Sequence, residues 1–395
     1  MSGGAPMAET GFAEALYYKV SKNEAFGRKA IEWALKADLK TADPAVLRQL
    51  AIVYDWCGPL LTTQQEDQLG KTIQSAIQQA GSGATGTSDV AVQSARALAT
   101  IAIADRLTDH GESILKPLVE QWWKQQLMPR LTAGQRPFPR DRSYPLYELF
   151  HALRDNLRVD LREAAPDFFV KFPTTHLESH YPAAFPAPEG DFHIPVYLRD
   201  GDPDVTEATM SRAAELAMVA YDSNAAEHQF LQGWLMQDRF QLHSTLGAPY
   251  EFLWANPYQP GLSYTQEPLV FHDRDLGQLY ARSSWDEDAL WLGYFDGTLQ
   301  VFRDGRIQTV RPNANAEPNR IGDALIFYAA TKDEGRFHLS SESVYILGLA
   351  PLAKFDVEID DQELREESTD AGGIMVLTLP EGIDADIRLR RRTEN

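Results

Sequence analysis

Along roughly the first 240 residues, apolar side chains return every three or four positions, the spacing of one helix face. Ile31, Ala34, Leu35 and Leu39 form one such stripe; Leu47, Leu50, Ala51 and Tyr54 form another. Thr62, followed by Gln64, Gln65 and Glu66 and then by Leu69, Ile73 and Ile77, reads as a capped helix start. A Gly/Ser/Thr stretch at 81–88 interrupts the chain, and a very apolar, alanine-rich helix is predicted over 90–107. Further helices are predicted over 114–127, over 145–156 and, as two segments, over 206–237. Helix after helix joined by short polar connections predicts stacked antiparallel pairs, as in an α/α barrel or toroid. No fixed repeat of about 34 or 40 residues runs through them, which argues against a regular solenoid.

Residues 172–203 break that rhythm and are rich in Pro, His and aromatics. Long loops in compact domains are either functional or disordered. Phe172, Tyr181, Phe185, Phe192 and Tyr197 are side chains that disordered linkers lack, so an ordered segment packed over a surface is expected. From about residue 265 the texture changes again. The runs 279–285, 289–295, 299–302, 324–330, 343–349, 355–359, 374–379 and 387–389 are short and β-type, with Asp296-Gly297 and Asp304-Gly305 as turns. About ten strands in about 125 residues indicate an antiparallel sandwich. The expected fold class is therefore α+β in two domains, with an α/α toroid over 1–250 and an antiparallel β-sandwich over 251–395. The junction is expected near 245–265.

Composition narrows the function classes. The chain has 395 residues, 44% of them hydrophobic, which suits two domains with substantial cores and excludes a disordered chain. Its formal net charge of −20 makes it a poor nucleic-acid binder by its general surface. The single cysteine, Cys57, leaves no intramolecular disulfide and no cysteine-based zinc site. No apolar run approaches a membrane span, so no membrane insertion is expected. Residues 1–10 show no basic patch followed by an apolar stretch, hence no visible signal peptide.

Candidate chemistry concentrates between 140 and 200. Tyr144, Tyr147 and His151, at i, i+3 and i+7, share a face of the helix predicted over 145–156. If that face looks into a cleft it offers two phenols and an imidazole; otherwise the phenols pack between helices with their hydroxyls satisfied. Seven arginines against four acids make 130–162 a basic island in an acidic chain. Arg140, Arg142 and Arg154 are candidates for gripping an anion, whereas Arg158 and Arg162 have acids beside them to pair with. Four of the nine histidines, His151, His176, His180 and His193, lie in 151–193. His176 and His180 have the i, i+4 spacing of a zinc pair, but the surrounding prolines argue against a helix and no third ligand is assigned, so neither metal nor cofactor is expected. Of Trp122 and Trp123 at most one is expected to point into the core. Trp33, Trp56 and Trp234 are expected inside the toroid, and Trp254, Tyr258 and Tyr264 at the junction, where they stack on a sugar ring or pack between domains. Asp55 is either a cleft acid or a hydrogen-bonding group within the bundle.

Three segments carry a family resemblance: Ala281-Arg-Ser-Ser-Trp-Asp-Glu-Asp-Ala-Leu-Trp291, the Tyr/Arg/His helix at 142–156, and Pro188-Glu-Gly-Asp191. With the order of elements, they resemble the heparinase II/III-like branch of the polysaccharide lyases, an incomplete α/α toroid followed by a β-sandwich. That resemblance implies β-elimination on an acidic glycan, with donors or cations neutralising the uronate carboxylate and a Tyr or His moving each proton. In that family an Asn-His pair on one toroid helix, a Tyr on a later one and a β-domain His do the work. Here the first position reads Gly86-Thr-Ser-Asp89-Val90, and the strand after Trp291 reads Leu292-Gly-Tyr-Phe-Asp-Gly297. His272 and His338, the histidines of the β region, do not match the pattern.

The lyase reading takes Tyr144, His151, His180 and His193 as catalytic. It takes Arg140, Arg142, Tyr147, Arg154, Tyr181, Asp191 and Trp254 as substrate-binding. It needs the helical bowl to open toward the strand-built half. Two other classes stand beside it: a non-catalytic relative that binds a glycan or a protein, and a glycoside hydrolase pairing Asp191 with Asp55 or Asp89. The resemblance implies a periplasmic or secreted protein, and the sequence leaves compartment and oligomeric state open.

Overall fold

The computed structural model describes residues 9–37, 43–81, 89–107, 110–133, 135, 138, 143–164, 166–187, 190–198, 201–237, 246–310, 317–341, 343–361, 363–380, 382 and 384–392. Helices come first: α1 (Thr10–Ser21), α2 (Glu24–Lys36), α3 (Pro44–Trp56), α4 (Thr63–Gly81), α5 (Val90–Ala102), α6 (Ala104–Leu107), α7 (His110–Pro117), α8 (Met128–Thr132), α9 (Ser143–Leu157), α10 (Pro166–Glu178), α11 (Val205–Tyr221), α12 (Ala226–Gln237) and α13 (Gly247–Trp254). Their starts follow local rules. Asn23, Asp43, Asp89 and Asp204 cap α2, α3, α5 and α11 by accepting from first-turn amides. At α4, Thr62 and Gln65 exchange bonds in a reciprocal box.

Packing orders the helices into a ring. α1 touches α3, α3 touches α5, α5 touches α9, α9 touches α11, α11 touches α13, and α13 returns to α1. Helices α2, α4, α10 and α12 pack on the outside of that ring. The protein is thus an α+β chain whose helical part precedes its sheets. None of its described helices is long and apolar enough to cross a membrane.

Three local expectations are corrected. The irregular segment begins later than residue 172, because α10 runs on through Pro173 to Glu178. A mid-helix proline forfeits one backbone bond, but Phe169, Phe172 and Leu177 are buried on this helix and hold it in register. Trp122 and Trp123 are both buried, not one of the two. They lie in a π-type stretch, Leu118–Leu127, whose wider turn brings adjacent side chains onto the core face. Trp33 and Trp56 are half-buried rather than interior, while Trp234 is buried.

A short hairpin, β1 (Phe185–Ala187) with β2 (Gly190–Phe192), leads to α11. After α13 come β3 (Val270–Asp273), β4 (Gln278–Arg282), β5 (Trp291–Phe295), β6 (Thr298–Arg303), β7 (Arg306–Val310), β8 (Asn319–Ile321), β9 (Ala324–Tyr328), β10 (Glu334–Leu339), β11 (Ser343–Leu347), β12 (Lys354–Ile359), β13 (Glu363–Ser368), β14 (Met375–Thr378) and β15 (Ala385–Arg391). Asp296, Gly297, Asp304 and Gly305 all have positive φ, the backbone of type I′ hairpin turns. The sheets are β3-β4-β5-β6-β7, β14-β11-β9-β8 and β10-β15-β12-β13, antiparallel except for the β9–β11 pair.

They stack face to face, as the expected antiparallel sandwich does, but three deep. Leu279, Leu292 and Leu299 of the first sheet pack on Ile321, Ile326 and Leu347 of the second. Phe327, Val344 and Ile346, on the second sheet's other face, pack on Phe355, Val357 and Ile387 of the third. The free face of the first sheet, with Tyr280, Trp291, Phe295 and Phe302, covers Tyr181, Ile194 and Ala208 of the helical part. This is the seam between the two parts. The helical core extends beyond residue 250, taking in Tyr250 and the half-buried Trp254 and Tyr264.

Candidate functional site

Four ring helices end at a common opening, the mouth of the ring. Asp55 and Trp56 close α3, Ile101 and Ala102 close α5, His151, Asp155 and Asn156 lie on the last turns of α9, and Leu253 and Trp254 close α13. Together they line a cleft of about 340 Å³. Trp56 and Trp254 are half-buried, and Asp55, Asp155 and Asn156 are exposed. Helix C-termini carry partial negative charge, so the mouth is electronegative even before its two aspartates are counted.

The ring below the mouth is filled. Arg48 Nε and Nη2 donate to the two carboxylate oxygens of Glu148, each at 2.7 Å. Its Nη1 donates to Glu9 at 3.1 Å, and its guanidinium lies over the Phe12 ring. The Tyr144 hydroxyl receives Arg48 Nη2 at 3.2 Å and donates to Glu148 at 3.0 Å. Trp254 Nε1 reaches the same hydroxyl at 3.5 Å, and the Tyr250 hydroxyl donates to Glu9. Burial, with the Glu148 charge beside it, pushes the Tyr144 phenol well above its ordinary range. A phenol so placed is a structural hydrogen-bonding group, and it resists becoming a phenolate.

The face shared by Tyr144, Tyr147 and His151 divides in space. Tyr147 is fully buried and stacks on Phe172, away from the mouth, with its hydroxyl unpartnered. His151 does line the mouth, its ring 4.3 Å from that of Trp254. Its Nε2 lies 2.9 Å from the Ala217 carbonyl and must donate there, leaving Nδ1 to accept from Arg154 at 3.3 Å. Burial lowers its pKa to about 4, so this is a neutral imidazole with both nitrogens engaged. Arg154 is spent as well, on Asp155 at 2.8 Å and on the Tyr221 carbonyl at 2.7 Å. Arg162 pairs with Asp160, as the sequence suggested.

His180 and His193 belong elsewhere, around Trp234. Their rings lie 4.6 and 5.5 Å from that indole, with the Arg212 guanidinium 4.3 Å over it. His176 occupies the last turn of α10 and His180 lies just beyond it, so the expectation that prolines would keep this segment from being helical is corrected. His180 Nδ1 donates to the His176 carbonyl at 2.6 Å, and Glu215 lies 3.6 Å from His176 and 3.4 Å from His180. Among the described residues no three His, Cys, Asp or Glu are grouped to hold a metal ion. One helix serves both groups: α11 presents Glu215 to these histidines and Ala217 to His151.

Of the other candidates, Tyr181 is buried in the seam, donating to Gln300 at 2.7 Å. Arg140, Arg142 and the Asp191 side chain lie outside the described residues. Asp89 caps α5 and so has a structural task. His272 bonds Asp370 at 2.8 Å beneath the sheet surface, whereas exposed His338 sits between Asp384 and Asp386.

The bowl was expected to open toward the strands. The first turns of α11 put Val205 and Ala208 against the seam, and its later turns put Ala217 and Tyr221 beside the mouth. Nine residues of helix, about 14 Å, separate Ala208 from Ala217, so the mouth opens at the end of α11 remote from the sheets. Sequence reasoning missed Arg48, Glu148, Glu9 and Tyr250. The available signal was Arg48 itself, the one cation in a largely apolar helix.

No family model matches the chain, and no curated protein does. Among solved structures, the chain is similar to a heparan sulfate lyase HepC mutant from Pedobacter heparinus at 12% identity and a TM-score of 0.35, covering 97% of this chain and 76% of that one. It is also similar to a glycoside hydrolase at 10% identity and a TM-score of 0.35, covering 98% of this chain and 72% of that one. Both are distant likenesses to carbohydrate-active proteins, and at this distance no residue here is matched to one of theirs.

Proposed function

We propose that the protein binds a saccharide at the mouth of its helical ring. The supporting observation is that two half-buried indoles, Trp56 and Trp254, share one open cleft with exposed Asp55, Asp155 and Asn156. Indole faces stack on the apolar face of a sugar ring, while carboxylates and an amide satisfy its hydroxyls. Four helix C-termini and Asp55 favour a neutral or amine-bearing sugar at this spot over a uronate, Asp155 being already paired with Arg154. Elimination through Tyr144 would require its hydroxyl to abandon Arg48 and Glu148, so the reading is binding rather than lyase turnover. A second reading, glycoside hydrolysis, draws on Asp55 and Asp155 as two carboxylates on one cleft.

Titrating tryptophan fluorescence with neutral, amino and uronate oligosaccharides tests this reading. A saturable response to a neutral or amino sugar, weakened about tenfold in Trp254→Ala, is expected; no response across the panel overturns it. Hydrolysis that survives in the wild type and vanishes in Asp55→Asn would establish the second reading. An ultraviolet-absorbing unsaturated product from a uronate polymer, lost in Tyr144→Phe, would reinstate elimination.

A further inference from the structure

The three sheets present their edges on one side. β7 is the last strand of the first sheet, β8 of the second, and β10 lies at the edge of the third. Between these edges run two grooves of about 770 and about 640 Å³, which share Pro318, Arg320 and Tyr328 and so adjoin. Arg303 and Arg306 line the first groove, Arg336 lines the second, and Arg320 stands between them.

All four guanidiniums are exposed. Among the described residues none forms an ion pair, although Asp304 and Glu317 also line the first groove, and His338, which lines the second, carries Asp384 and Asp386. Among the described residues Arg320 is held only by the carbonyl and hydroxyl oxygens of Ser340, each at 3.1 Å. Nearby Arg391 and Arg392 do find carboxylates, on Asp333 and on Asp356 with Glu366. In a chain with twenty more acids than bases, four arginines on one side that meet no acid among the described residues run against the average.

Register sharpens the point. Arg303 and Arg306 are direct cross-strand partners; Arg336 lies opposite Arg388, which has Glu358 on its other side, so the uncompensated pair is the first. Like charges facing each other across a ladder are destabilising. Edge strands are commonly guarded by charge, but isolated lysines or carboxylates would do that without mutual repulsion. A bound anion relieves it.

We propose that the two grooves form one track for a linear anionic glycan, whose carboxylate or sulfate groups the forks of Arg303, Arg306, Arg320 and Arg336 hold. The choice of a glycan among polyanions rests on the saccharide reading of the mouth. The track also offers little to a nucleic acid. Tyr328 is buried with its hydroxyl accepting from Asn319, and the half-buried Phe337 packs edge-on against Phe327, so among the described residues the track presents no row of exposed rings on which successive bases could stack.

The test uses the full chain, with calorimetric titration of an oligogalacturonate, a chondroitin sulfate oligosaccharide, a neutral maltooligosaccharide and an oligothymidylate of matched length. Both charged glycans are expected to bind with an affinity that falls as salt rises. The Arg303→Gln, Arg306→Gln, Arg320→Gln, Arg336→Gln variant is expected to weaken them at least about tenfold with a Tm no lower than that of the wild type. Should that variant melt early, Arg303→Gln with Arg306→Gln, which removes a repulsive pair, carries the test alone. Undiminished affinity in these variants, or tighter binding of the oligothymidylate, overturns the proposal. Loss of charged-glycan binding in Trp254→Ala instead would assign it to the mouth, sinking the track while leaving the saccharide reading intact. Loss of only the neutral sugar in Trp254→Ala would leave the track standing.

Discussion

Arg48 and Glu148 meet through two parallel 2.7 Å bonds inside the helical ring, where both side chains are nine-tenths buried. The pair joins α3 to α9, and through Glu9 and Tyr250 it also reaches α1 and α13. Removing one partner strands a desolvated charge, so Glu148→Gln is expected to cost about 3–5 kcal/mol in denaturant unfolding. Arg48→Met combined with Glu148→Leu replaces the pair with apolar bulk and is expected to recover most of that loss. A double variant as unstable as the sum of the singles would show that the pair is not coupled in this way.

Tyr144 hangs on the same pair. Tyr144→Phe removes one hydrogen-bonding hydroxyl and is expected to lower stability by about 1–2 kcal/mol. Saccharide affinity at the mouth should stay within about twofold, because the ring of Tyr144 and its packing on Tyr250 remain. A large loss of binding or turnover at unchanged stability would return Tyr144 to a functional role.

Much of the fold was legible because it rests on local rules. Helical spacing located α3 and α9, Thr62 with Gln65 made the box that starts α4, and Asp-Gly pairs marked the β5–β6 and β6–β7 turns. Legibility failed where tertiary packing overrules local preference. Pro173 argued for a break, yet the burial of Phe169 and Phe172 carries α10 past it. The stacking of three sheets was hidden because a strand pattern tells which positions are buried but not which sheet covers them. The site suffered the same limit. Tyr144, Tyr147 and His151 do sit on one helix, but which neighbour each meets is decided by Arg48, Phe172 and Trp254, over twenty residues away in sequence for all three. Arg48 stands out in its own helix, but nothing local says that its partner lies a hundred positions on.

Two histidines are set to resist protonation. Burial lowers His151 and His228 to about 4, each with a ring nitrogen bonded to a carbonyl, of Ala217 and Asp222 respectively. The unfolded chain takes up these protons near the ordinary value of about 6.5. Between about pH 6.5 and 4 the unfolded state therefore binds more protons, and stability falls as the solution is acidified; above 6.5 neither group contributes a slope. The loss is on the order of 3 kcal/mol for each group at the acid end. In proton NMR titrations both imidazole signals should stay flat down to about pH 5, whereas exposed His338, whose pKa Asp386 and Asp384 raise, should titrate above the ordinary range. Titration of either buried ring near 6.5 would refute the assignment.

Glu178 has the opposite sign, and it sits in the seam. Its carboxylate accepts from Arg282 Nε at 3.2 Å, while its backbone carbonyl receives Arg282 Nη2 and Trp291 Nε1. Burial nevertheless wins over the arginine and raises the carboxyl to about 7. The native state thus holds a proton that the unfolded chain releases near the usual carboxyl value, so stability falls as pH rises through about 4.5 to 7 and is level above. Glu178→Gln keeps the shape, deletes the titration and leaves the backbone contacts of Arg282 in place. Relative to wild type, the variant is expected to gain on the order of 3 kcal/mol between pH 5 and pH 8. Urea midpoints at the two pH values check this, and a variant that instead loses ground on moving to pH 8 would mean that the ionised pair stabilises the seam.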